Sequence, residues 1–212
     1  MIENNLTRII HWLTINAPRI VEFSLNKPAT DEAISKLQNL FDKELPKDFI
    51  NLYKTYNGMN DDENMGNFFY ALSLLSIDNI IADKEFRTSQ SKDLAPIPLT
   101  HFDKEIDGAN LYNPNWVALC FDGSRSYLRI DLSPSDKGTY GQVIFIDGDH
   151  NVGLLIANSI TELITNFAND LDKGLYSLNE EALEDEQHFL EADTQIDIGN
   201  WHKIEKWKGY VN

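Results

Sequence analysis

The chain has 212 residues, of which 42% are hydrophobic and 25% charged, which suits one globular domain with extensions. Its 34 acidic residues outnumber 18 basic ones and give a formal net charge of −16 at pH 7. Such a surface repels nucleic-acid phosphates and anionic membranes, so the composition argues against both as partners and favours basic ones. The same charge is also typical of a soluble cytosolic surface, so it does not establish a basic partner by itself.

No stretch predicts a targeting or membrane segment. Glu3 interrupts the N-terminus and no basic region precedes its apolar part. No run approaches the ~18–20 apolar residues of a membrane span. The single cysteine, Cys120, lies in an apolar stretch and cannot form an intrachain disulfide, so we expect a buried thiol and a reducing, cytoplasmic location.

Apolar spacing predicts two helices in the first 42 residues. Residues 2–13 repeat apolar side chains with helical spacing, and this helix should end before Pro18. A connector over residues 18–30 leads to a second helix, over about Asp31–Asp42, which Thr30 can cap.

The stretch LPKDFINLYKTYNG, Leu45–Gly58, predicts a third helix with both ends marked. Pro46 suits the first turn, and Phe49, Leu52 and the two tyrosines form one apolar face. Asn57-Gly58 is typical of a left-handed C-terminal cap.

The next 57 residues have a weaker pattern. Residues 59–66 form a polar, acidic loop, and Phe68–Leu75 suits an edge strand. Ser76 or Asp78 can begin a helix that runs through Phe86. Residues 88–115 contain three prolines and predict a loop, with a short extended segment after Pro96.

Four apolar stretches predict the core of a sheet. Trp116–Phe121 is almost wholly apolar, as expected of a strand covered on both faces, and Tyr127–Leu132 alternates apolar and polar residues. Gly141–Ile146 and Val152–Ala157 follow after short turns, so antiparallel neighbours are the simplest arrangement.

The last quarter begins with a well-marked helix, Ser159–Asp172, in which Ser159 and Glu162 form a capping box. Residues 174–202 then contain eight acidic residues and no Lys or Arg. Ala182, Leu183, Phe189 and Leu190 keep helical spacing, which predicts an acidic amphipathic helix docked on the domain. A basic, aromatic segment around Trp201 and Trp207 follows; it either docks on the acidic body or binds a partner.

The Leu45–Gly58 helix, followed by Trp116-Val117-Ala118, Asp122-Gly123, Ile130-Asp131-Leu132 and GTYGQVIFID, resembles the SMI1/KNR4 (SUKH) superfamily. The resemblance covers roughly residues 30–175. It departs from the superfamily at Ser124-Arg125-Ser126, where further glycine is common, over residues 59–115, and in both terminal extensions. The superfamily includes fungal cell-wall regulators and bacterial immunity proteins that neutralise toxins.

We therefore expect an α+β fold: a mostly antiparallel sheet of about five to six strands with helices packed against it. We expect three segments. An N-terminal helix and connector occupies residues 1–29, an SMI1/KNR4-like domain residues 30–175, and an acidic helical extension residues 176–212.

Candidate catalytic and metal sites are few. Asp147-Gly148-Asp149-His150-Asn151 opens like an EF-hand loop, but Val152 and Asn158 stand where the glycine and glutamate are required, so a β-turn is the simpler reading. Carboxylates at Asp122, Asp131, Asp147 and Asp149 could together hold a divalent ion for hydrolysis. No nucleophile elbow, P-loop or dinucleotide fingerprint occurs. We expect no catalytic residues, bound metal or cofactor.

The leading hypothesis is a non-enzymatic immunity protein that binds a cationic toxin, possibly a nuclease. A scaffold or regulator of cell-wall or signalling assembly is the alternative, and a metal-dependent hydrolase a remote one. The candidate partner-binding residues are acidic and lie mainly in the loop after Gly58 and in the C-terminal extension: Asp61, Asp62, Glu63, Asp122, Asp131, Glu180, Glu181, Glu184 and Asp185.

Overall fold

The computed structural model describes residues 2–62, 64–93 and 95–210. Its centre is a six-stranded sheet with strand order β1-β3-β4-β5-β6-β2. All neighbours are antiparallel except β2, which runs parallel to β6. The strands are β1 Ser73–Leu74, β2 His101–Phe102, β3 Trp116–Phe121, β4 Ser126–Asp131, β5 Gln142–Asp147 and β6 Val152–Ala157. The predicted α+β class with a mostly antiparallel sheet is confirmed.

The α-helices are α1 Ile2–Asn16, α2 Asp31–Gln38, α3 Lys47–Tyr53, α4 Ile77–Asp93, α5 Ile160–Asp172 and α6 Glu180–Glu184. The predicted caps form where their side chains can accept an orphan N–H: Thr30 accepts from Ala33 N, and Ser159 from Glu162 N. A π-helical turn occupies Ile20–Ser24, and 3-10 turns occupy Phe69–Ala71, Ile198–Lys203 and Glu205–Tyr210.

The larger hydrophobic core joins one face of the sheet to helices α1, α3 and α5. Alternate strand residues such as Val117, Leu128 and Phe145 point into it. A fully buried side chain of this kind contributes roughly 1.5–3 kcal/mol to stability.

A smaller core covers the opposite face. Leu99 and Ile106, from the chain between α4 and β3, pack on Trp116, Ile144 and Ile146. The weakly patterned segment thus has a structural role, since it shields the second face. This double cover explains why β3 and β5 are apolar on both sides.

The structure corrects the prediction for Asn57 and Gly58. Helix α3 ends at Tyr53, four residues before Asn57. The Asn57 side chain instead accepts a hydrogen bond from Ile77 N (3.0 Å), the first residue of α4. Gly58 has a φ of +70°, and a Cβ there would lie 2.4 Å from the backbone of Leu75. The pair therefore joins α3 to the start of α4, and does not cap α3.

The C-terminal extension also differs from the predicted amphipathic helix. Only Glu180–Glu184 is helical, while Tyr176–Leu178 (β7) and Leu190–Ala192 (β8) form a two-stranded antiparallel sheet. Leu183 is 41% exposed, whereas Leu190 is buried in the larger core. Their helical spacing failed because the chain reverses at Glu186, which has a φ of +58°.

The Trp201–Trp207 segment is packed on the body through both indoles, which are buried. Trp201 Nε1 donates to Asp147 Oδ2 (2.8 Å), and Trp207 Nε1 donates to Asp103 Oδ2 (3.2 Å). Acidic side chains of the body therefore hold this basic, aromatic segment.

Candidate functional site

A groove lies beside helix α4. Two adjoining cavities, of about 370 and 400 Å³, share Asp83, Phe86 and Tyr127 as walls. Phe86 is 61% exposed and protrudes between them. We call the first cavity the arginine pocket; its polar and aromatic walls include Asp83, Phe86, Arg87, Arg125, Tyr127 and Arg129.

The floor of the arginine pocket is a buried ionic triad. Asp83 and Arg87 stand one turn apart on α4, so their side chains meet, and Arg87 Nε donates to Asp83 Oδ2 (2.9 Å). Arg129, on β4, donates to both carboxylate oxygens of Asp83 (2.9 and 3.2 Å). One carboxylate therefore serves two guanidiniums.

Further contacts fix both guanidiniums in place. Arg87 donates to the carbonyl oxygens of Asn113 (2.8 Å) and Trp116, which ties α4 to the start of β3. The Arg129 guanidinium lies 4.0 Å from the centre of the Tyr127 ring, a cation–π contact. Both arginine side chains are about 95% buried.

The pKa values in the triad reflect its burial and crowding. Desolvation and the neighbouring Arg129 charge lower the pKa of Arg87 to about 10. Burial acts to raise the pKa of Asp83, but the two guanidiniums outweigh it and hold that pKa below its usual value. With these shifts, Asp83 and Arg87 are both charged at neutral pH.

Sequence reasoning missed this triad. The Asp83–Arg87 spacing of four residues was a usable signal for a helical ion pair. The alternation of β4 did place Arg129 on the face opposite Leu128, but it did not show that a loop and a helix cover that face.

Asp131 is buried, which corrects its prediction as a partner-binding residue. Its carboxylate accepts from Trp116 Nε1 (3.1 Å), Gln142 Nε2 (3.0 Å) and Ser133 N (2.9 Å). Burial raises the pKa of this carboxyl, although the three hydrogen bonds oppose the shift. Asp131 braces β3, β4 and β5 from inside the protein, out of reach of a partner.

The other candidate acidic residues near the groove are exposed. Asp61 lines the second cavity and accepts from Asn79 Nδ2 (2.7 Å), beside the exposed Asp62. Glu63 lies outside the described residues. Asp122 accepts from the backbone N–H groups of Ser124 and Ser126, so it shapes the β3–β4 turn. Of the acidic loop, the structure brings Asp61 to the groove.

The remaining candidates lie on α6 and just after it. Glu180, Glu181, Glu184 and Asp185 are all exposed. Among the described residues, no hydrogen bond or ion pair joins them to the groove. The structure therefore presents them as a separate acidic patch.

The alternative of a divalent-metal site receives no support from the carboxylate positions. Asp147 accepts from Asp149 N and His150 N in a turn, as its β-turn interpretation predicts, and from the Trp201 indole. Within the described ranges, no three His, Cys, Asp or Glu side chains are grouped so as to hold a metal ion.

In the part of the chain that the structure describes, no helix has the length and apolar character needed to cross a bilayer.

Comparison with known proteins identifies relatives among fungal regulators. The chain is 21% identical to "Cell wall assembly regulator SMI1" of Saccharomyces cerevisiae, over 87% of the chain and 42% of that protein. It is 23% identical to "KNR4/SMI1 homolog 1" of Debaryomyces hansenii, over 96% of the chain and 62% of that protein. It is 31% identical to "Glucan synthesis regulatory protein" of Neurospora crassa, over 34% of the chain and 14% of that protein.

The chain spans less than two thirds of the length of these curated relatives. The model of the SMI1 / KNR4 family (SUKH-1) matches residues 28–166, about two thirds of the chain. The chain therefore belongs to the SMI1/KNR4 family (SUKH-1).

Proposed function

We propose that this protein is a non-enzymatic regulatory module that works by binding protein partners, as a scaffold in cell-wall or signalling assembly. The observation that carries the proposal is its family membership together with the names of its relatives, which are cell-wall and glucan-synthesis regulators. Because those relatives are longer than this chain, the activity of the whole proteins is transferred only as a proposal.

The groove at α4 is the proposed partner surface. Aromatic side chains and arginine are enriched at the energetic centres of protein interfaces. Phe86 is largely exposed there, with Tyr127 and three arginines beside it. The exposed Asp61 lies at one end of the groove and forms part of the proposed rim.

The toxin-neutralising hypothesis is less well supported. It depended on the superfamily resemblance and on the acidic charge, whereas the fungal relatives are named as regulators. A cationic toxin as partner therefore has only the net charge of −16 in its favour. The hydrolase hypothesis required a cluster of carboxylates, and among the described residues no such cluster is grouped so as to hold a metal ion.

Affinity capture from the native cell, with quantitative mass spectrometry, tests the proposal. We expect the wild-type chain to enrich several endogenous proteins of cell-wall or signalling assembly. Phe86→Ser should reduce that enrichment at least fivefold. Phe23→Ser is the matched control, since Phe23 is also an exposed aromatic, on the π-helical turn. Enrichment of one toxin domain alone would contradict the regulatory function.

A further inference from the structure

The arginine pocket concentrates positive charge in a strongly acidic protein. Three of the chain's five arginines line it, although the chain as a whole carries a formal charge of −16. Arg87 and Arg129 are buried in its wall. Arg125 stands at the exposed rim, where it pairs with the equally exposed Asp149 (3.4 Å). From the overall composition, acidic side chains would be expected to outnumber basic ones at any given part of the protein, but arginines predominate here.

The buried charges of the pocket do not balance. Asp83 contributes one negative charge against the two positive charges of Arg87 and Arg129. Among the side chains that the structure describes, no second carboxylate lies within 4.0 Å of either guanidinium. A buried charge without a counter-charge is costly, because it loses hydration that a single shared carboxylate cannot replace.

A purely structural role accounts for Arg87 better than for Arg129. Arg87 ties α4 to Asn113 and Trp116 through three hydrogen bonds. Arg129 contacts the same carboxylate and lies over Tyr127. An apolar side chain at position 129 would fill the same space and leave Asp83 and Arg87 as a neutral pair, so the second buried charge calls for another explanation.

We propose that the arginine pocket binds an acidic side chain, a carboxylate or a phosphate ester, on an extended segment of the protein partner. The proposal rests on the regulatory binding function proposed above. Arginine suits both anions because its planar guanidinium offers paired N–H donors. Phe86, Leu111 and Tyr127 give the pocket an apolar wall for the carbon stem of that side chain.

A peptide fits the surroundings better than a nucleic acid does. The pocket has a volume of about 370 Å³ and opens beside the exposed Phe86, so it accommodates one side chain and its flanking backbone. A nucleic acid would bring many phosphates to a body with a charge of −16 and would be repelled. One or two acidic groups face far less repulsion.

The test uses the full chain and small probes followed by NMR. The probes are N-acetyl-glutamate methylamide, N-acetyl-phosphoserine methylamide and, as neutral control, N-acetyl-glutamine methylamide. We expect the two anionic probes to shift the Nε–H resonance of Arg129 and the amide resonance of Tyr127 in a saturable way. The relative dissociation constants of the two then distinguish carboxylate from phosphate recognition. Equal shifts with the glutamine probe would overturn the proposal.

Variants localise the binding. Arg129→Gln leaves Asp83 and Arg87 balanced, and Arg125→Gln changes an exposed residue that does not endanger folding. Each should weaken the anionic probes roughly tenfold, because each removes a charge-assisted hydrogen bond. Arg8→Gln is the matched control, since Arg8 pairs with Asp172 elsewhere on the surface. Unchanged affinity in Arg125→Gln and Arg129→Gln would refute the site.

The same variants separate this proposal from the function it rests on. Native-cell partners that bind Arg125→Gln and Arg129→Gln as well as wild type, while Phe86→Ser loses them, would refute the anion site and leave the regulatory binding function standing. Probe binding without any captured partner would support the site and count against that function.

Discussion

At the residue scale, Asp83 is the shared counter-charge of two buried guanidiniums, Arg87 and Arg129. Asp83→Asn should lower the free energy of unfolding at pH 7 by about 3–5 kcal/mol, the usual cost of breaking a buried ion pair. The double variant Asp83→Asn, Arg129→Gln should recover part of that loss, since it removes the repulsion between the arginines. Urea unfolding of all three chains measures the effect.

Asp83 should also make the stability of the protein fall at acidic pH. The pKa of Asp83 is lower in the folded protein than its ordinary value near ~3.9, so its contribution is fully present above that pH. It is lost as the pH falls through the lowered, folded pKa. Between pH 7 and pH 3 wild type should therefore lose more stability than Asp83→Asn does. Parallel losses in the two proteins would contradict this assignment.

Gly58 is the second residue on which the fold depends, since its positive φ and the nearby Leu75 backbone both exclude a side chain. Gly58→Ala should cost about 3 kcal/mol or more, because backbone strain of roughly 1–3 kcal/mol adds to a clash that a side-chain rotation cannot relieve. Gly174→Ala is the matched control: its φ is +72° but no atom lies within 4 Å of the added Cβ. It should cost only about 1–2 kcal/mol. Thermal unfolding of both variants decides whether the clash or the φ angle dominates.

At the element scale, the bounds of segments with a periodic apolar face could be predicted from the sequence. The conformation of segments that is set by tertiary contacts could not. Helix α5 and strands β3 to β6 were predicted to within one or two residues, because one buried face fixes their spacing. The role of Asn57-Gly58 as a cap of α3 and the helical conformation of the extension were predicted wrongly, because a close backbone approach at Gly58 and a chain reversal at Glu186 decide these segments. The groove was missed for a related reason: its triad joins α4 to β4 across 46 residues of sequence.

The C-terminal segment is held on the body by Asp103. The Asp103 carboxylate accepts hydrogen bonds from Trp207 Nε1, from Tyr210 OH (2.9 Å) and from Leu155 N (2.7 Å). Burial and the hydrogen bond to Asp103 raise the pKa of Tyr210 to about 12. Asp103→Ala should release the segment and lower stability by about 2–4 kcal/mol, from the summed loss of these bonds.

Limited trypsin digestion reads out that release, because Lys203, Lys206 and Lys208 lie in the segment. Cleavage there should accelerate at least tenfold in Asp103→Ala. Asp172→Ala provides the comparison, since it removes only the exposed pair with Arg8, worth about 0.2–1 kcal/mol. Equal digestion rates in the two variants would show that Asp103 does not hold the segment.

At the scale of the whole molecule, we propose that residues 1–29 and 176–212 are extensions built onto one domain over residues 30–175. Helix α1 buries Leu6, Ile9 and Leu13 in the main core. Its Asn5 side chain donates to Thr165 of α5 (2.9 Å). The proposal implies that the extensions unfold with the body in one cooperative transition.

The net charge should make the association of an acidic ligand depend on salt. The charge of the whole molecule repels such a ligand at long range, while the pocket attracts it at short range. Raising the salt concentration from ~10 to ~150 mM shortens the Debye length from ~30 to ~8 Å and screens the distant repulsion first. The association rate of a peptide with one glutamate or phosphoserine should therefore rise severalfold over this range in stopped-flow fluorescence. A cationic partner that docked on the acidic loop would show the reverse, a rate that falls with salt. A falling rate for the acidic peptide would mean that the net charge of −16 does not govern its approach.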